Sequence, residues 1–203
     1  MGMIEILGIA GSVSLLAGWR LYLCVFATGL AMRSGWIELP THLDALAALA
    51  NPYVLGAAFI GLVAEFFADK IAWLDSLWDA VHSIVRPLGG ALLALAIVDA
   101  QDPAWQALAF LLGGGGALLS HGAKAGTRAV VNASPEPVSN VVVSAGEDVA
   151  TAGMLALAFT NPIVAGGVAL VALLFALALL LYTRRALRAL GLWRDRSFPP
   201  PAR

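Results

Sequence analysis

The chain contains 203 residues, of which 60% are hydrophobic and 12% are charged, and its formal net charge is −1 at pH 7. A soluble domain typically carries about 25% charged residues, so this composition, with a mean hydropathy of +0.85, excludes an ordinary soluble fold. It predicts an all-α, polytopic helical membrane protein whose main partner is the lipid bilayer. We expect no nucleic-acid partner, and the composition leaves open whether the protein forms a homo-oligomer.

The C-terminal end is rich in arginine, which indicates the orientation of the chain. Its six arginines are Arg184, Arg185, Arg188, Arg194, Arg196 and Arg203. Because Lys and Arg are enriched on the cytoplasmic side of membrane proteins, we expect a cytoplasmic C-terminus in a multi-pass protein of the bacterial inner membrane. The Pro-rich segment 191–203 is predicted to be a disordered tail.

The hydrophobic segments of the first half are interrupted or short. Met3–Met32 is long enough to cross a bilayer but contains Arg20, and Pro52–Ala64 is stopped by Glu65. No Lys or Arg precedes the first segment, so we expect it to be retained and not cleaved as a signal peptide. Between these segments, the weakly amphipathic stretch Leu43–Ala50 is predicted to be interfacial or re-entrant.

Residues 69–87 have the pattern of an amphipathic helix, with apolar residues on one face and charged residues on the other. This pattern predicts a helix at the membrane surface. The residues that we expect at the interface are Glu65, Asp69, Asp75, Asp79, His82 and Arg86. Asp75, Asp79 and His82 also have the spacing of a helical metal site, but no cysteine and no second histidine cluster supports one. We therefore predict neither a metal nor another cofactor.

Only one segment is an uninterrupted span. Ile163–Tyr182 provides 20 uncharged residues, enough to cross about 30 Å of hydrocarbon, whereas Leu88–Val98, Ala104–Leu119 and Val138–Phe159 are bounded or interrupted by charges. Short and broken segments are typical of transporters. We predict about six membrane segments in a single domain, 1–203, with both termini inside.

Two short matches indicate an internal repeat. Residues 17–20 read AGWR and residues 125–128 read AGTR, an offset of 108, and the Asn-Pro pairs at 51–52 and 161–162 are offset by 110. We therefore predict repeats over 3–101 and 105–190. With three crossings between equivalent points, the second copy would be inverted, and Arg20 and Arg128 would occupy equivalent positions near the bilayer middle.

The stretch His121–Thr151 concentrates charge in apolar sequence. Its prolines at 135 and 137 must break the helix, which predicts a helical hairpin. Lys124 lies ten residues before the turn and Asp148 eleven residues after it, so at 1.5 Å per residue both lie about 15 Å from the turn and are predicted to pair.

Ionisable groups inside a membrane are candidates for a functional site. The predicted substrate or ion pathway comprises Arg20, His121, Lys124, Arg128, Asn140, Ser144, Glu147 and Asp148. These side chains either hold helices together without a ligand or form a pathway in which Glu147 or Asp148 exchanges a proton and the arginines attract an anion.

The function that we predict is a small membrane transporter or permeation pathway for an ion, a proton or a small anionic solute. One alternative is a non-catalytic scaffold or assembly factor that docks a partner through the Asp75–Arg86 helix. A lipid-acting enzyme is the third, and is less favoured because the sequence contains no HExxH, GxSxG or P-loop motif. We therefore predict no catalytic residues.

Three long motifs resemble those of a bacterial integral-membrane family classed as a domain of unknown function of the 4126 type. They are AGWR near the start, AEFFADKIAWLDSLWDAVHSIVRPLGGALLA in the middle, and KAGTRAVVNASPEPVSN followed by GED. The resemblance covers about Gly8 to Leu190. It supports the predicted helical membrane fold and implies no mechanism, because the family has no agreed activity.

Overall fold

The computed structural model describes residues 2–36, 41–98, 101–132 and 137–189. These residues form six α-helices and one 3₁₀ helix, Thr41–Ala50. The α-helices are α1 (Met3–Arg33), α2 (Pro52–Ala68), α3 (Ala72–Val98), α4 (Pro103–Asn132), α5 (Pro137–Thr160) and α6 (Pro162–Ala189). The all-α prediction is confirmed.

Four helical segments among the described residues are long and apolar enough to cross a membrane. They are Met3–Arg33, Trp73–Val98, Val141–Thr160 and Pro162–Tyr182. Large apolar side chains also cover the outside of the bundle; Ile84, Val149 and Phe175, for example, are 69%, 75% and 70% exposed. The chain is therefore a polytopic membrane protein whose apolar exterior suits contact with lipid.

The two Asn-Pro pairs each begin a helix. The Asn51 side chain accepts a hydrogen bond from the Tyr53 amide at 2.9 Å at the start of α2, and the Asn161 side chain accepts one from the Val164 amide at 3.3 Å at the start of α6. Asparagine is a favoured N-cap, and proline suits the first helical position because it has no amide hydrogen to leave unpaired. This shared local chemistry accounts for the match between the pairs, while the duplication itself stays a prediction.

Helix α1 lies at the centre of the bundle and contacts all five other α-helices. Glycines allow this close packing: a methyl group on Gly8 would overlap the Pro162 carbonyl, and one on Gly18 would overlap the Ala117 carbonyl. The buried apolar core follows α1 through Ile9, Ala17 and Cys24. Small residues let helix backbones approach closely in membrane proteins, where packing is the main attraction between helices.

Helices α1 and α4 run in the same direction, which corrects the predicted inversion of the repeat. Ser14 lies beside Gly113 and Gly18 beside Ala117, and Lys124 reaches the Trp19 carbonyl, so the residue numbers of both helices rise together. The inversion required three crossings between equivalent points. In the structure α2 and α3 both run opposite to α1, so the chain returns only once between α1 and α4.

Helix α6 also runs in the same direction as α1. It begins beside Gly8, which Pro162 and Gly166 contact, and continues along α1 until Ala176 shares a cavity wall with Trp19. The start of α1 and the end of α6 therefore lie at opposite ends of the bundle. This arrangement differs from the predicted one, in which both termini lie on the same side, because α2 and α3 run in the same direction.

Helix α3 is not a surface helix, contrary to the prediction. Its polar face is buried in the bundle: Asp75, Asp79, His82 and Arg86 are at most 6% exposed. Its apolar face is turned outward, with Val81 56% exposed. The amphipathic pattern is real, but in a lipid-embedded bundle the charged face seeks the protein interior and the apolar face meets lipid.

Candidate functional site

Arg20 is located at a break in the central helix. Its backbone angles, φ −141° and ψ 68°, are not helical and kink α1 there. Side chains of α4 bond to carbonyl groups before the kink: Ser120 donates to the Leu15 carbonyl at 2.7 Å and Lys124 to the Trp19 carbonyl at 3.3 Å. Polar neighbours of this kind stabilise an interrupted helix inside a membrane protein.

The Arg20 side chain joins α1 to α5 and to the turn after α2. Its guanidinium forms an ion pair with Asp69, lies 3.2 Å from the Glu147 carboxylate and 3.0 Å from the Asp148 carboxylate. Arg20 Nη2 also donates to the Ser144 carbonyl and hydroxyl, both at 3.0 Å. A planar guanidinium has five N–H donors, which suits it to several acceptors at once.

Lys124 lies among three carboxylates. Its Nζ is 3.6 Å from Asp69, 3.7 Å from Glu147 and 3.9 Å from Glu65. The predicted partner, Asp148, pairs with Arg20 instead. The depth argument located Lys124 and the acidic pair of α5 at the same level but could not distinguish two neighbouring carboxylates.

Arg128 closes one end of the network. It lies 3.3 Å from Asp75, and its Nη2 donates to the Asp69 carbonyl at 2.5 Å. Asp69 is therefore shared by Arg20, Lys124 and Arg128, and each of these three cations comes from α1 or α4. This sharing ties the α2–α3 turn to both helices.

A second part of the network lies between α3 and α4. Arg86 contacts Glu65 at 2.5 Å and Asp79 at 3.1 Å, and it donates to His121 Nδ1 at 2.7 Å. Because a guanidinium only donates, Nδ1 must be the unprotonated nitrogen, and Nε2 donates to the Asp79 carbonyl at 3.1 Å. His121 is therefore neutral and faces α3, so it does not belong to the predicted basic face toward α5.

His82 bonds to α1 and to its own helix. Its Nδ1 donates to the Trp78 carbonyl at 2.7 Å, and its Nε2 accepts from the Tyr22 hydroxyl at 2.9 Å. The imidazole also stacks on the Trp78 ring, with centroids 4.3 Å apart. These contacts explain a buried histidine by packing and hydrogen bonding.

The network has more acid than base. Its carboxylates are Glu65, Asp69, Asp75, Asp79, Glu147 and Asp148, and its cations are Arg20, Arg86, Lys124 and Arg128. With every group ionised, six carboxylates against four cations give a formal charge of −2. The most accessible members are Glu147 and Asp148, with side chains 11% and 31% exposed. The most accessible carboxylates of this negatively charged network therefore lie on α5.

A cavity of about 610 Å³ adjoins this position. It lies between α1, α4, α5 and α6, and its walls are mostly apolar. Lys124 and Glu147 both line it. A mostly apolar cavity therefore borders the charged network at Lys124 and Glu147.

The structure brings together most of the predicted pathway residues, with α1 packed between the two helices of the predicted hairpin. Helices α4 and α5 make little direct contact, whereas α1 packs against both, so Arg20 bridges them. Ser144 joins the site as predicted, and the side chain of Asn140 lies outside the described residues. The sequence interpretation assigned Glu65, Asp69, Asp75, Asp79 and Arg86 to the membrane interface, whereas the structure buries them in this network.

Searches of the curated proteins and of the solved structures found no match. One family model does match, over residues 7–182, and its description is a domain of unknown function, DUF4126. The matched region contains the whole charged network. The chain belongs to the DUF4126 family.

Proposed function

We propose that the protein is a small permeation pathway or transporter that moves protons through the charged network, with Glu147 and Asp148 as the exchanging groups. The observation that supports this proposal is that the network contains two more carboxylates than cations. Its most accessible carboxylates, Glu147 and Asp148, lie on α5 beside the kinked central helix. Burial raises the pKa of a carboxylate and neighbouring cations lower it, so the protonation of such a group depends on its surroundings. A discontinuous helix in the middle of the bundle is a common feature of transport sites.

The network favours a proton over the small anion that was also predicted. The guanidinium groups of Arg20 and Arg86 contact three and two carboxylates respectively. An entering anion would have to displace these partners and would add negative charge to a site that already has an excess of it. A proton relieves that excess.

In this proposal the end of α6 that carries Arg184 and Arg185 lies in the cytoplasm of a bacterial cell, because basic residues favour that side. The start of α1 then lies on the outer side of the membrane. The scaffold alternative loses its support, since the charged face of α3 that was to dock a partner is buried.

The test is proton flux into proteoliposomes that contain a pH-sensitive dye, driven by a potassium gradient and valinomycin. We expect the protein to dissipate the imposed gradient and the Asp148→Asn and Glu147→Gln variants to lower the rate at least about tenfold, as is common for removal of a proton-transfer group. Matched controls are Asp102→Asn and Glu5→Gln, since these exposed carboxylates lie outside the network. Flux equal to that of empty liposomes, or an Asp148→Asn variant as active as the native protein, would falsify the proposal.

A further inference from the structure

We propose that Lys70 is a specificity-determining residue of the pathway: its ammonium group keeps metal cations such as Na⁺ away from Asp148, while protons still reach this carboxylate. Lys70 lies in the turn between α2 and α3, directly after Asp69. The inference rests on the proposed proton pathway and adds to it the group that excludes other cations.

The charged network by itself does not distinguish a proton from Na⁺. Its carboxylates outnumber its cations, and its most exposed carboxylate, Asp148, lies close to further oxygen atoms, since Arg20 contacts both Asp148 and the carbonyl and hydroxyl of Ser144. Carboxylate and carbonyl oxygens are the ligands that hard metal cations prefer, and transporters with interrupted helices bind either Na⁺ or protons. A proton pathway of this kind therefore requires a feature that rejects Na⁺.

Lys70 lies at the edge of the site that contains Asp148. The Arg20 guanidinium pairs with Asp69 through Nη1 and with Asp148 through Nε, the second at 3.0 Å. Consecutive Cα atoms are about 3.8 Å apart, so Lys70 is the immediate neighbour of a residue that shares one guanidinium with Asp148. Asp148 is also the charged group that acts most strongly on the Lys70 ammonium, more strongly than the adjacent Asp69.

The charge of Lys70 is not neutralised by a close ion pair. Its Nζ donates to the Phe66 carbonyl at 3.0 Å and lies 3.2 Å from the centroid of the Phe66 ring, and both partners are neutral. None of the ion pairs between described residues includes Lys70. Lys70 is half-buried, and the Asp148 side chain is 31% exposed. An uncompensated ammonium group therefore lies beside the most accessible carboxylate of the network.

Repulsion by Lys70 has different consequences for the two ions. A fixed charge beside a pathway is an electrostatic barrier to ions of the same sign. A proton forms a covalent O–H bond with a carboxylate, whereas Na⁺ is held by electrostatic attraction and must first lose part of its hydration shell. Partial burial also favours the neutral, protonated carboxyl group over the ionised one that Na⁺ requires. Asp148 therefore still accepts a proton under conditions in which Lys70 prevents the binding of Na⁺.

Labelling of Asp148 by dicyclohexylcarbodiimide measures Na⁺ binding without requiring transport. This reagent reacts with a protonated carboxyl group, and bound Na⁺ slows the reaction because it keeps the carboxylate ionised. The full-length protein in detergent is labelled at constant ionic strength while NaCl replaces choline chloride, and mass spectrometry follows the modification of Asp148. We expect the Na⁺ concentration that halves the labelling rate to be at least about tenfold lower in Lys70→Gln than in the native protein, because a unit charge close to a partly buried carboxylate has been removed.

Control variants separate the charge of Lys70 from its structural role. Lys70→Gln retains an N–H donor for the Phe66 carbonyl at the end of α2, and Lys70→Arg retains the positive charge and should behave as the native protein does. Arg33→Gln removes an exposed cation far from the turn in sequence and should also behave as native. Equal protection by Na⁺ in the native protein and in Lys70→Gln would overturn the proposal, as would the absence of Asp148 labelling in both.

Uptake of radioactive sodium into proteoliposomes distinguishes this inference from the proposed function. We expect the native protein and Lys70→Arg to exclude Na⁺ and Lys70→Gln to admit it. Native proton flux together with equal Na⁺ uptake in the native protein and in Lys70→Gln would leave the transport proposal standing and overturn the role of Lys70. If the native protein moves no protons but Na⁺ slows the labelling of Asp148 in Lys70→Gln alone, the transport proposal is wrong and Lys70 is still the residue that keeps Na⁺ from Asp148.

Discussion

Arg20 of α1 and Asp69 of the turn between α2 and α3 form a fully buried ion pair, although 49 residues separate them in sequence. Both side chains are at most 1% exposed. The pair connects the kink of the central helix to the point where the returning chain passes from α2 to α3. Lys124 then joins this pair to the second part of the network, since its Nζ lies 3.6 Å from Asp69 and 3.9 Å from Glu65.

Removal of Arg20 should destabilise the protein strongly. The Arg20→Met variant leaves Asp69, Glu147 and Asp148 without their shared cation, and breaking a buried pair costs about 3–5 kcal/mol in the free energy of unfolding. Thermal or denaturant unfolding in detergent measures the change. Among the described residues, the exposed Arg33 donates to the Ala50 carbonyl at 3.3 Å, so Arg33→Met should change stability by less than about 0.5 kcal/mol.

The coupling between Arg20 and Asp69 can be measured separately by a double-mutant cycle. We expect Arg20→Met combined with Asp69→Leu to cost less than the sum of the single changes, by about 0.5–3 kcal/mol, because residues in direct contact are not additive. Strictly additive effects would show that the two side chains do not interact in the folded protein.

The packing of α1 against α4 depends on a glycine. A methyl group on Gly18 would overlap the Ala117 carbonyl and approach Ser120, so Gly18→Ala should destabilise the bundle by about 1–3 kcal/mol through overpacking. Gly11 lies in the same helix with no atom near its added methyl group. Gly11→Ala should therefore be neutral or slightly stabilising, and equal losses in both variants would contradict the proposed close contact.

The hydrogen bond between Tyr22 and His82 makes a smaller contribution. Tyr22→Phe removes a hydroxyl that donates to His82 at 2.9 Å, which should lower the free energy of unfolding by about 1 kcal/mol. Tyr53 is 86% exposed and serves as the control. If Tyr22→Phe has no more effect than Tyr53→Phe, the Tyr22–His82 bond does not contribute to stability.

The helix directions predict which ends of the bundle share a side of the membrane. Ser34 follows α1 and Gln101 precedes α4, and both are exposed, so Ser34→Cys and Gln101→Cys should react with an impermeant maleimide from opposite sides. Background should be low because the native Cys24 is buried. Labelling of both variants from the same side in intact cells would mean that α2 and α3 do not together make a single pass across the membrane.

Much of the helical framework could be predicted from the sequence. Ile163–Tyr182 lies within α6, as its uninterrupted apolar length predicted, and α4 ends at Asn132 before α5 begins at Pro137, as the prolines required. Arg20, Lys124, Ser144 and Glu147, which the sequence also singled out, lie together in the structure, because charges in apolar sequence are costly unless neighbours satisfy them.

The two faces of α3 could not be assigned from the sequence. A helical period shows that charged and apolar residues lie on opposite faces, but it is the same whether the charged face meets water or a protein interior. The cations that pair with Asp75 and Asp79, and the acid that pairs with Arg86, come from three helices. These ion-pair partners explain why the charged face of α3 lies in the interior of the bundle.

Composition and periodicity by themselves determined that this protein is a helical membrane protein and where its helices break, since both properties depend on local sequence and on transfer to lipid. Only the tertiary structure decided which charged side chains pair with one another and in which direction each helix runs. Residue spacing gives the depth of Lys124 or Asp148 along its own helix, but not which helix stands beside it. Because α1 lies between α4 and α5, Asp148 pairs with Arg20, and Glu147 pairs with both Arg20 and Lys124.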